Sequence, residues 1–290
     1  MVAGQQCCDA VVAFVVGGAG VLDTLEVASG RARLHGERHH EVGLIEVPIE
    51  FVALVHRGEV QAAERIVESK SFDNSILCTN ESVLIVEDRI ADRLLDQMQR
   101  LGAHVLSDAD RDKVRDLIFP DGHLDTRWIG KGAAEIAKAA GVRVQPRTRV
   151  LLAPFALVVP EEPLAHEKLL PVLGVVRVPT AARGIDTARA VLRITGEGHS
   201  AAIHSNDPAT VMAFSAAVRV LRVSVNVGNS LGSAGLATGL APSMTIGTGF
   251  FGRSSVGENL EPKHLVNWTR IAYNSDPSVP MPDYSSMTPW

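Results

Sequence analysis

The stretch SFDNSILCTNES, residues 71–82, sets a single cysteine, Cys78, in a polar turn among Asn74, Ser75, Thr79, Asn80 and Ser82. A nucleophilic cysteine needs thiolate character, access, and donors that stabilise the anion formed on attack. The amides and hydroxyls here supply the donors. A cysteine in an α/β protein is more often a small hydrophobe, and local composition leaves that alternative standing. A second stretch, EEPLAHEKLLPVLGVVRV (161–178), puts His166 and Glu167 just ahead of an apolar run, on a segment bounded by Pro163 and Pro171. At the edge of a parallel sheet an imidazole and a carboxylate can move protons or bind sugar hydroxyls. A polar loop that happens to precede a strand explains them equally well. In the third stretch Gly247, Gly249 and Gly252 would let backbone approach a ligand closely, and Asn226 ends the strand before it. Finally, Gly17, Gly18 and Gly20 follow the apolar run 10–16. A glycine turn between strand and helix can present N–H groups to a phosphate, but GxGxxG is incomplete here and tight turn geometry is the alternative.

The elements that would hold these residues can be read from periodicity. AVVAFVV (10–16) reads as a buried strand and VLDTLEVAS (21–29) as a helix. Residues 31–58 mix charges and histidines without a sustained period, and a solvated segment is expected. The adjacent His39 and His40 would diverge on any regular element, which is poor geometry for a shared metal. EVQAAERIVESK (59–70) places Val60, Ala63, Ile66 and Val67 on one helical face, and SVLIV (82–86) is a strand. DRIADRLLDQMQRLG (88–102) is a helix with Asp88 as its cap, Gly102 as its stop, and a stripe of Ile90, Leu94, Leu95, Met98 and Leu101. Helices are expected over 107–119, 131–141, 186–194 and 208–221, and strands within 149–159, 169–178, 199–205 and 222–227. Strands alternating with helices of this length require crossover connections, so the sheet is mostly parallel.

Composition narrows the functional classes. A net charge of -5 and 4% aromatic residues argue against a nucleic-acid surface or base-stacking platform. The apolar runs fall far short of the ~20 residues that cross a bilayer, and a cytoplasmic protein without a membrane partner is expected. The three cysteines, Cys7, Cys8 and Cys78, form no CxxC pair, so neither a disulfide framework nor a metal site is expected.

The motifs ESKSFDNSILC, EPLAHEKLLPVLGVVRV, GHSAAIHSND and GLAPSMTIGTGFFGRSSVGENLEPKHLVNWTRIAYN occur in this order over residues 59–275. Together they resemble the CoA-acylating branch of the aldehyde dehydrogenase superfamily, including the aldehyde half of bifunctional aldehyde/alcohol dehydrogenases. The resemblance implies a three-layer α/β catalytic domain with a mostly parallel sheet, and a remnant of a Rossmann-like nucleotide domain. It implies a dinucleotide-domain remnant at 1–70, a catalytic domain at 71–260, and a C-terminal segment at 261–290. Cys78 falls on the family nucleophile, which takes an aldehyde through a thiohemiacetal to a thioester with NAD or NADP, and then passes the acyl group to coenzyme A. The resemblance gives His166 a part in proton or CoA handling and Glu167 the nicotinamide ribose hydroxyls. Gly17 and Gly18 fall near the cofactor phosphates, and the Cys78 backbone N–H on the oxyanion hole. A small aldehyde and CoA are the implied partners, in a homo-oligomer.

The sequence departs from the family where a GxGPGNxP-like segment would stand: residues 31–50 read RARLHGERHHEVGLIEVPIE instead. Most of the family's nucleotide domain, with the asparagine that gives the second oxyanion donor, would precede residue 1, so an N-terminally truncated member is expected. Loss of one such donor costs ~2.7–4 kcal/mol in the transition state. A non-catalytic remnant of the fold, or a thiol acyltransferase or esterase without cofactor chemistry, is the alternative function.

Overall fold

The computed structural model describes residues 25–28, 31–34, 51–55, 59–244, 247–283 and 285–286. The Gly17–Gly18 turn, the apolar run 10–16, Cys7, Cys8, His39 and His40 lie outside them. The chain divides into two units, residues 1–260 and residues 261–290.

In the first unit β1 (Leu25–Ala28) and β2 (Arg31–Leu34) form an antiparallel pair. This corrects the helix expected over 21–29. Each strand is only four residues long, LEVA and RARL, and it is their pairing, Leu25 opposite Leu34 through Ala28 opposite Arg31, that defines them.

The larger sheet has seven strands among the described residues: β3 (Phe51–Val55), β4 (Val83–Glu87), β5 (Ala103–Val105), β6 (Val150–Pro154), β7 (Val172–Val178), β8 (Gly198–His204) and β9 (Val220–Val225). Their spatial order is β5-β6-β7-β4-β3-β8-β9, and every neighbouring pair is parallel. The fold is therefore α/β with a parallel sheet, as the alternation of strands and helices required.

β3 corrects the expectation of a solvated 31–58 segment: Ala53, Leu54 and Val55 are fully buried at the middle of the sheet. FVALV is a short continuous apolar run, the signature of a strand covered on both faces rather than one.

Helices cover the two faces. Ala53, Val55, Leu84 and Val86 pack under α1 (Glu59–Ser71) and α2 (Asp88–Arg100), against Ala63, Ile66, Val67, Ile90, Leu94 and Met98. Leu54, Val83, Ile85 and Ile203 point the other way. They join a core with α3 (Asp108–Ile118), α4 (Ala133–Ala139), α5 (Ala181–Thr195) and α6 (Pro208–Ala217). Each fully buried Leu or Ile here contributes about 1.5–3 kcal/mol relative to exposure. Gly184 lets α5 approach β3, since a Cβ there would lie 2.6 Å from Leu54 Cδ1.

Details of the helix ends differ from expectation. Val60 is 55% exposed, so the buried face of α1 runs through Ala62, Ala63, Ile66 and Val67 instead. Glu87, not Asp88, occupies the cap of α2; Asp88 sits in the first turn and pairs with Arg177 at 3.0 Å. α6 stops at Ala217 and the strand begins at Val220, because the β-branched run VRVLRVSV favours extended backbone. A short helix, α7 (Asn229–Ser233), follows β9. Among the described residues no helix is long and apolar enough to cross a membrane.

The second unit has one 3-10 turn, Pro262–Leu265, in which the Glu261 N–H donates to His264 Nδ1 at 2.9 Å. Its other described residues form neither helix nor strand.

Candidate active site

Cys78 lies between the end of α1 and the start of β4. Asp73, Asn74 and Ser75 take consecutive left-handed conformations, with φ 47°, 50° and 64°. Three non-glycine residues of this kind in a row are strained, and such strain persists only where surrounding contacts hold it. Asn80 supplies two of those contacts: its Nδ2 donates to Ser69 O at 2.8 Å and Phe72 O at 3.0 Å, closing the carbonyl end of α1. Asn74 Nδ2 donates to Gly130 O at 3.0 Å. The amides expected to serve a reacting group instead fix the loop.

The starts of β4, β3, β8 and β9 are aligned by register, with Val52 opposite Val83, Phe51 opposite Ser200 and Ser200 opposite Arg222. Residues just before β4 therefore meet residues at the start of β8 across the end of β3. This brings His199 Nε2 to 3.3 Å from Cys78 Sγ, although 121 positions separate the two residues. The pair sits at the amino-terminal edge of a parallel sheet, opposite the carboxyl edge where open α/β sheets usually bind ligands.

Burial pushes His199 down to about 3, and the Arg222 guanidinium adds to the effect. The imidazole is thus neutral at physiological pH. Arg222 is 5% exposed, donating from Nε to Asn259 Oδ1 at 2.5 Å and from NH1 to Gly247 O at 3.0 Å. Burial lowers its pKa to about 10, and the charge of a Cys78 thiolate works against that lowering. Both anchors are neutral oxygens, and a negative charge at Cys78 favours the charged guanidinium.

Glu167 lies at the same sheet edge, ahead of β7. Burial pushes its carboxyl up to about 8, against the pull of Lys70 and Lys168. Lys168 clamps this loop: Nζ donates to Leu164 O at 2.8 Å and His166 O at 2.6 Å, and its N–H donates to Ser82 Oγ at 3.1 Å. His166 directs Nε2 to Pro160 O at 2.8 Å. The imidazole at the thiol is His199, not His166.

No protein-family model matches the chain. It is 35% identical over 216 residues to an aldehyde-alcohol dehydrogenase of Clostridium acetobutylicum, a match that covers 73% of this chain and 25% of that protein. An acetylating aldehyde dehydrogenase from Geobacillus thermoglucosidasius superposes with a TM-score of 0.76 at 28% identity, covering 81% of this chain and 52% of that one. A propionaldehyde dehydrogenase of Rhodopseudomonas palustris, solved with bound CoA and an acylated cysteine, superposes with a TM-score of 0.62 at 25% identity, covering 69% and 45%. The chain is a relative of the acylating aldehyde dehydrogenases. It spans a quarter of the aldehyde-alcohol dehydrogenase's length and about half of that of the two solved structures.

Against that family, His199 and Arg222 are residues that the sequence reading missed. Both stand in stretches read only as strands, although GHSAAIHSND is among the motifs that carry the acylating aldehyde dehydrogenase resemblance. Gly252, one of the glycines expected to let backbone approach a ligand, lies close to another part of the chain. A Cβ on Gly198 would lie 2.3 Å from Gly252 N, so the glycine-rich loop is seated on the residue before His199. Asn226 does end its strand, with φ 53° and paired 2.9 Å hydrogen bonds from and to the Ser205 backbone.

Proposed function

We propose that this chain carries the acyl-transfer centre of a CoA-acylating aldehyde dehydrogenase, with Cys78 as nucleophile. The carrying observation is the 3.3 Å contact between Cys78 Sγ and a neutral, buried His199 beside the Arg222 cation. Arg222 favours the thiolate, and neutral His199 accepts the thiol proton and releases it to solvent as Sγ bonds to the aldehyde carbon. The oxyanion that forms faces the Cys78 backbone N–H. When the carbonyl re-forms with loss of hydride, a thioester stays on Cys78. The thiol of CoA then loses its proton to solvent and attacks that carbonyl, and the Cys78 thiolate leaves, giving acyl-CoA.

NAD or NADP supplies the hydride acceptor when bound. Glu167 fits that partner: no hydrogen bond from a described residue occupies its half-buried carboxyl, which leaves it for ribose hydroxyls. Gly17 and Gly18 would lie near the phosphates, and His166 near CoA. In the same reading residues 71–260 are the catalytic domain and 261–290 a C-terminal segment. The protein works in the cytoplasm as a homo-oligomer on a small aldehyde, without nucleic acid or membrane.

The test incubates the chain with acetaldehyde or propionaldehyde, NAD+ or NADP+, and CoA, and follows reduced cofactor by absorbance. Turnover that disappears in Cys78→Ala is the expected result. No turnover, with acylation of Cys78 by acyl-CoA in mass spectrometry, would leave an acyltransferase in place of a dehydrogenase. Neither signal would leave a non-catalytic relative.

A further inference from the structure

The contact between Cys78 and His199 joins two segments that no direct backbone hydrogen bond ties together, since β3 lies between β4 and β8. One side chain spans that gap. Asn229, at the start of α7, is fully buried and donates from Nδ2 to Thr79 O at 3.1 Å and to Ser200 Oγ at 3.0 Å. Thr79 follows Cys78 and Ser200 follows His199, so one amide holds the residue after the nucleophile and the residue after the imidazole.

The other atoms of Asn229 fix the amide itself. Oδ1 accepts from Ser224 Oγ at 2.8 Å and from Ser233 Oγ at 2.9 Å, and the backbone N–H donates to Glu81 Oε1 at 2.8 Å. Two donors aimed at Oδ1 set which end of the amide is oxygen, and all four side-chain hydrogen bonds are satisfied. Fully satisfied buried networks of this kind rigidify their surroundings. Gly228, just before it, brings the turn against α1: a Cβ there would lie 2.8 Å from Arg65 O. The hub is thus fastened to α1, β8, β9 and the cysteine loop at once.

We propose that Asn229 is a positioning residue that sets the Cys78–His199 contact by bridging Thr79 and Ser200. It touches neither the thiol nor a substrate; it acts through the two segments it joins. The inference rests on the preceding reading only in taking Cys78 and His199 as the reacting pair.

The test measures the rate of Cys78 alkylation by iodoacetamide, located by peptide mass spectrometry, and therefore needs no aldehyde, cofactor or CoA. The variants are Asn229→Asp, which keeps the shape but loses both Nδ2 donors, His199→Ala, and the double variant. Asn229→Asp is expected to change the rate about five- to tenfold in the wild-type background and to add nothing further in His199→Ala, the non-additivity of residues acting through one contact. A merely structural role would give the same change in both backgrounds, and that result, or an unchanged rate in folded Asn229→Asp, overturns the proposal. Should Asn229→Asp fail to fold by circular dichroism, Ser200→Ala removes one arm of the bridge from a small buried side chain. It is expected to change the rate in the same direction by a smaller factor, and an unchanged rate there also overturns the proposal. A chain that shows no aldehyde turnover but keeps the non-additivity would remove the dehydrogenase reading and leave this one.

Discussion

At the residue scale, the neutral imidazole and the cation near the Cys78 thiol are two different side chains. His199 is held neutral, down to about 3, while Arg222 carries the positive charge beside the thiol. His199→Ala should therefore lower turnover by about 10²–10⁴-fold, the contribution of a positioned proton-transfer group. The acid limb of the wild-type rate profile should show no step near pH 6.5 from this imidazole. A step there that vanishes in His199→Ala would mean that His199 titrates normally. In Arg222→Met, loss of the cation should move the His199 titration upward, read from its ring proton shifts by NMR, though not to 6.5, since burial is the larger cause. Motif order singled out Cys78 in the sequence, and the structure sets an imidazole 3.3 Å from its Sγ. His199 was not singled out, because a polar residue in the first turn of an apolar strand, GHSAAIHS, carries no local signal that a thiol 121 positions away will meet it.

At the scale of elements, the glycine loop and the start of β8 are built as one. Gly198 has φ 120°, and a Cβ there would collide with the Gly252 backbone at 2.3 Å and Thr248 O at 2.5 Å. Gly198→Ala should cost about 1–3 kcal/mol from backbone strain alone, with the clash adding to it, and it should slow Cys78 alkylation because His199 is the next residue. Gly239→Ala is the control, since a Cβ there meets nothing within 4 Å; it should leave the urea midpoint and the alkylation rate unchanged. Equal midpoints for the two variants would refute the seating of the loop. The long helices and the parallel sheet were legible, because an apolar period of 3.6 or a β-branched run is a property of the segment itself. The hairpin at 25–34 and the central β3 were misread: LEVA is too short to establish a period, and FVALV lies among charged residues that suggested solvent. Strand pairing decided the first and burial of Ala53, Leu54 and Val55 the second.

For the whole molecule, the buried ionisable groups set a pH window for stability. His199 and His204 are lowered from 6.5 to about 3 and about 4, mainly by burial. The unfolded chain therefore binds more protons than the folded one as pH falls below 6.5, and stability drops through that range. Glu167 has the opposite sign. Its pKa is raised from 4.5 to about 8, so between these values the folded chain holds a proton that the unfolded chain releases, and stability drops as pH rises. Glu81 is raised by burial too and adds to the same side. These opposed slopes leave a maximum between about pH 4.5 and 6.5, on the acid side of the range where stability usually peaks. Urea midpoints measured from pH 4 to 8 should trace that dome. Glu167→Gln should match the wild type near pH 4.5 and exceed it progressively toward pH 8, because the amide has no proton to lose. His204→Phe should flatten the acid side, since neither imidazole nitrogen of His204 has a hydrogen-bond partner to lose among the described residues. A Glu167→Gln curve parallel to the wild type would show that the carboxyl is already ionised at neutral pH, and would make it a charged rather than a protonated partner for ribose hydroxyls.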